Sequence, residues 1–81
     1  MLIDYFEDVR KIIAAQFGLE EEDIEEESLL EEDLNISELD LEDVIAILEQ
    51  KYEIEIPQSA YSKFLKVVDI ANFLYENADQ A

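Results

Sequence analysis

Eighty-one residues with one Gly, one Pro, no Cys and no His suffice for one small domain, near the size at which a single hydrophobic core becomes marginal. The missing Cys and His exclude disulfides, thiolate or imidazole metal sites, and every nucleophilic mechanism built on Cys or on a His base. Twenty-three acids against five bases leave a net charge of −18, which repels nucleic acid and anionic lipid and steers the chain toward basic protein surfaces.

With 49% hydrophobic residues, the chain is too apolar to be an acidic disordered segment, and residues 1–81 are expected to fold as one domain. No apolar run approaches the roughly 18 residues needed to cross a bilayer. The N-terminal MLIDYFEDVRK has acids where a secretory signal has a basic flank and a hydrophobic block. The expected setting is the cytoplasm, and the expected state a monomer.

From 3 to 17, apolar residues fall at Ile3, Phe6, Val9, Ile12, Ile13 and Phe17, the spacing of a helix with one buried stripe. Gly18 follows as a stop, because glycine takes the left-handed cap conformation without steric cost. The next stretch carries seven acids in the nine residues 20–28, and like charges so close oppose a regular packed helix. It reads as a long loop pinned by Leu19, Ile24, Leu29, Leu30 and Leu34, and a loop of that length usually has a functional reason or a turn of its own.

A second helix begins near Ser37. The sequence SELD is a capping-box pattern, with Ser37 accepting from the third helical amide and Asp40 reaching back to the cap. Its inward residues are expected to be Leu39, Val44, Ile45, Ile47 and Leu48, with Leu41 either completing that stripe or standing outside it. YEIEIP alternates like a strand but has nothing to pair with, so it reads as an extended connector that places Ile54 and Ile56 in the core and ends at Pro57. A short helical turn near 59–63 and a last helix near 67–75, with Val67, Ile70, Ala71, Phe73 and Leu74 inward, complete an all-α bundle of four helices, the third of them short.

With the elements in place, the chain resembles the acyl carrier protein family over nearly its whole length and without a gap. The matching pieces are FGL at the end of the first helix, EDL before the second, Leu39 and Asp40, Leu48 and Glu49, EIEIP, and Val67 with Asp69. In that family the loop-to-helix junction reads D-S-L, and its Ser takes 4′-phosphopantetheine, whose thiol holds acyl groups as thioesters. The ungapped register lays that Asp on Ser37, that Ser on Glu38 and that Leu on Leu39. The resemblance therefore implies a carrier fold with no prosthetic group, Glu38 occupying the modified position. A serine at a helix cap points its hydroxyl at the helix amides, and one residue step turns a side chain by about 100°, which argues against Ser37 as a substitute. The alternative is a working carrier with 4′-phosphopantetheine on Ser37 and the acyl chain folded between the second and third helices.

The resemblance also makes the acids of the second helix, Glu38, Asp40, Glu42, Asp43 and Glu49, candidates for docking onto basic patches of acyl-chain or phosphopantetheinyl transferase enzymes. A merely solvated face is the plain reading. Leu41 is a candidate apolar anchor for such a contact, since interfaces gain affinity from a desolvated centre and rate from the charged surround. A calcium loop over Asp33, Asn35 and Ser37 fails, because Glu38 stands where the turn needs Gly and Val44 where a bidentate Glu is required. Loose divalent binding by residues 20–27 suits clustered carboxylates better. There is no Gly-rich phosphate loop and no nucleophile–base pair, so the chain is expected not to be an enzyme. Mimicry of DNA would need acids spaced like phosphates across a broad face, and the carrier register explains the same acids better.

Overall fold

The computed structural model describes residues 4–78. In chain order it holds α1 (Tyr5–Phe17), a 3₁₀ turn (Glu21–Asp23), α2 (Glu38–Tyr52), α3 (Gln58–Tyr61) and α4 (Val67–Asn77). The all-helical bundle expected from the pattern is present, with no strand among the described residues. Ile3, placed on the first helix by its spacing, lies outside them.

Asp4 starts α1 by accepting from the Glu7 amide at 3.2 Å, and Gly18 ends it in the left-handed conformation at φ 68°. The buried stripe is Tyr5, Val9, Ile13 and Ala14, with Phe6, Ile12 and Phe17 half-buried against it. α1 packs mainly on α4, whose Val67, Ile70, Ala71 and Leu74 are buried. Phe73 is half-buried and meets Phe64 edge to face at 5.7 Å.

The long acidic loop is held by backbone bonds, together with an ion pair in which Lys66 Nζ donates to Glu27 Oε1 at 2.8 Å. Leu30 N donates to Leu65 O at 2.9 Å, Val67 N to Ser28 O at 3.0 Å and Val68 N to Glu26 O at 3.1 Å. Two orphan amides at the start of α4 thus find acceptors in the loop, which satisfies polar groups that burial would otherwise leave unpaired. Asp69 Oδ2 takes the amides of Leu65 and Lys66 at 3.0 and 2.8 Å. Ile24 and Leu30 drop into the core, while Leu19 and Leu34 pack at its edge. Seven carboxylates can crowd this segment because their side chains stay in solvent while the backbone and the apolar residues hold it. Ile36, just ahead of α2, is a further core residue at 3% exposure.

Candidate functional site

The loop turns into α2 through Asn35, which takes the left-handed conformation at φ 60°, one that Asn tolerates better than most residues. Ile36 then plugs the core and donates its amide to Leu30 O at 2.8 Å, which fixes where the helix must begin. Ser37 is the N-cap, extended at φ −77° and ψ 171°. Its Oγ accepts from the Asp40 amide at 3.2 Å and donates to Asp40 Oδ2 at 3.0 Å. Asp40 Oδ2 also accepts from the Ser37 amide at 3.2 Å. The capping box read from SELD is complete, and both functions of the Ser37 hydroxyl are engaged.

Glu38 is the first residue of α2 and is exposed. Beside it lies a cleft of about 120 Å³ between the start of α2 and the α3 region, walled by Leu30, Ile36, Leu41 and Phe64, with Glu31 and Glu38 also lining it. Tyr61 borders the same cleft. Partial burial, followed by the negative charge of Glu49 and Glu42, pushes its phenol above the ordinary tyrosine value.

The structure sorts the expected docking residues into three groups. Glu38, Asp40, Glu42 and Asp43 are exposed, although Asp40 is committed to the cap. Glu49 is half-buried, and its Oε2 accepts the Ile56 amide at 2.8 Å, so it ties the connector to α2. Leu41 is only 3% exposed and belongs to the core; an apolar anchor for a partner cannot be there. That stripe runs Leu41, Val44, Ile45 and Leu48. Leu39, expected inward, is 74% exposed, because two steps of about 100° carry it to the opposite side of the helix from Leu41. Ile47 is partly exposed too, and Leu65, which lines the cleft, is 64% exposed. Sequence reasoning missed Leu39 as a surface residue. The signal was available, since the spacing from 41 to 48 leaves no place for 39 on the same stripe.

Among the described residues no three His, Cys, Asp or Glu side chains converge to hold a metal ion, and no helix is long and apolar enough to cross a membrane. What α2 offers is a capped, solvent-facing helix start with exposed acids around a projecting leucine, beside a small cleft of mixed polar and apolar lining. Those features define a small helical bundle with an exposed helix start.

Its relatives give that class a family. An acyl carrier protein of Campylobacter lari is 35% identical over 69 residues, covering 85% of this chain and 90% of the relative. One from Campylobacter jejuni subsp. doylei is 36% identical over the same length and shares, and one from Wolinella succinogenes is 32% identical over 72 residues, covering 89% and 95%. No family model matches the chain. The chain belongs to the acyl carrier protein family. Members of that family are carriers and not enzymes, in line with the expectation from the residues.

Proposed function

We propose that this protein is a docking module of fatty-acid, polyketide or related acyl metabolism that engages basic partner enzymes through α2 without bearing the prosthetic group. Acyl carrier proteins normally hold their cargo on 4′-phosphopantetheine, which needs an outward hydroxyl at the start of the second helix. The residues present do not fit it. Glu38 offers a carboxylate at the exposed first position, and the Ser37 hydroxyl accepts from one group of Asp40 and donates to another. That double engagement is the observation that carries the reading.

Docking itself is supported by Leu39, 74% exposed, with Glu42 and Asp43 three and four residues on, where helical spacing makes them its surface neighbours. A desolvated leucine supplies affinity, and the surrounding carboxylates supply attraction to Lys and Arg on a partner. The carboxylate of Glu38 also suits its place, since negative charge in a first helical turn stabilises the helix. The protein acts in this reading as a cytoplasmic, single-domain monomer.

The test uses a phosphopantetheinyl transferase loading a control carrier from coenzyme A. The native chain is expected to slow that loading by competition, to lose this effect when Glu42→Lys and Asp43→Lys are combined, and to gain no mass itself. A native chain that does not compete overturns the docking reading. A mass gain mapped to Ser37 overturns the absence of the prosthetic group and favours the working carrier.

A further inference from the structure

Glu38 is exposed at the start of α2, and its carboxylate enters none of the side-chain hydrogen bonds or ion pairs of the described residues. The helix end is closed without it, by Ser37 and Asp40 on either side. Ile36 and Leu41 anchor the flanks in the core at 3% exposure each, and the cleft that Glu38 borders is walled by other residues. An exposed side chain that makes no contact the fold depends on can be exchanged with little effect on stability.

We infer that position 38 alone withholds this chain from phosphopantetheinylation, so that exchanging its carboxylate for a hydroxyl is sufficient to make the chain a substrate. This rests on the docking reading above and adds that the scaffold around the position is otherwise competent. The chemistry separates the two side chains. A carboxylate oxygen joined to phosphorus would give an acyl phosphate, a mixed anhydride that water cleaves, whereas an alcohol oxygen gives a lasting phosphodiester. In Glu38→Ser the introduced oxygen bonds to the phosphorus of the phosphopantetheinyl arm of coenzyme A. The pyrophosphate bond breaks, adenosine 3′,5′-bisphosphate leaves, and the hydroxyl proton passes to a base of the transferase. Ser37 cannot take over, because its hydroxyl stays in the capping box.

The test compares the full native chain, Ser37→Asp, Glu38→Ser and the double variant Ser37→Asp/Glu38→Ser. Aspartate keeps a capping oxygen while removing the native hydroxyl, so the double variant assigns any modification to position 38. Each is incubated with coenzyme A and a broad-specificity phosphopantetheinyl transferase beside a control carrier, then weighed intact and peptide-mapped, with circular dichroism reporting the fold. Both chains carrying Glu38→Ser are expected to gain one phosphopantetheinyl group at position 38, and the native chain and Ser37→Asp none. Glu38→Ser chains that stay unmodified while the control is loaded overturn the inference, and so do Glu38→Ser chains that fail to fold, since the helix end then depends on Glu38. Either failure leaves the docking reading standing, because that reading is tested by competition from the native chain.

Discussion

The two ends of α2 are held in opposite ways. At the N-terminal end the helix is closed on itself: Ser37 and Asp40 satisfy each other, while Glu38 and Leu39 project into solvent. At the C-terminal end Tyr52 donates its hydroxyl to Asp8 of α1 and meets the buried Tyr5 ring edge to face at 5.4 Å, and Tyr5 in turn meets Tyr75 of α4 at 4.7 Å. Glu49 fastens the connector through Ile56, and Glu53 closes the helix in the left-handed conformation at φ 55°. A helix that anchors one end to its neighbours and caps the other with its own residues can present the second end to a partner without weakening the core.

The largest expected effect separates packing from presentation. Leu48→Ala, at a side chain fully buried in α2, should lower unfolding free energy by roughly 2–5 kcal/mol. Leu39→Ala should change it by no more than about 0.5 kcal/mol while weakening partner binding by more than about 1 kcal/mol. Urea titration and a binding isotherm on the same variants give both numbers, and a Leu39→Ala protein that unfolds readily would abolish the distinction.

At the anchored end, Tyr52→Phe removes a bond to a carboxylate and should be destabilising by roughly 1–3 kcal/mol. Burial first, then the bond and charge of Asp8, hold the Tyr52 phenol well above its ordinary value. A tyrosine that keeps its proton longer when folded than when unfolded contributes stability that is complete below about pH 10, and this contribution is lost as pH rises toward the folded value. The native protein should therefore lose stability above about pH 10 more steeply than Tyr52→Phe, as thermal melts across that range would register.

Smaller changes are expected at the two caps. Ser37→Ala should cost about 1 kcal/mol through the lost N-cap, with the α2 start fraying in amide exchange before its C-terminal half. Glu53→Gly has the opposite sign: relief of left-handed strain, worth about 1–2 kcal/mol, exceeds the roughly 0.5–1 kcal/mol of added chain entropy. The variant should melt slightly higher than the native chain, and a lower melting temperature would show that Glu53 is not strained.

The sequence by itself determined the helices, the Gly18 stop, the capping box at SELD, the placing of Ile56 and the family. The local features follow from relations between residues a few positions apart, where backbone geometry leaves few choices, and the family from short motifs kept in register along nearly the whole chain. Only the tertiary structure decided that Leu41 faces the core and Leu39 faces solvent, that Glu49 is spent on the Ile56 amide, and that the acidic loop is fastened by the α4 amides. Periodicity names the stripes a helix offers, but which stripe is buried depends on where α1, α4 and the connector close against it. A carboxylate reveals its hydrogen-bond partner only once distant parts of the chain have met.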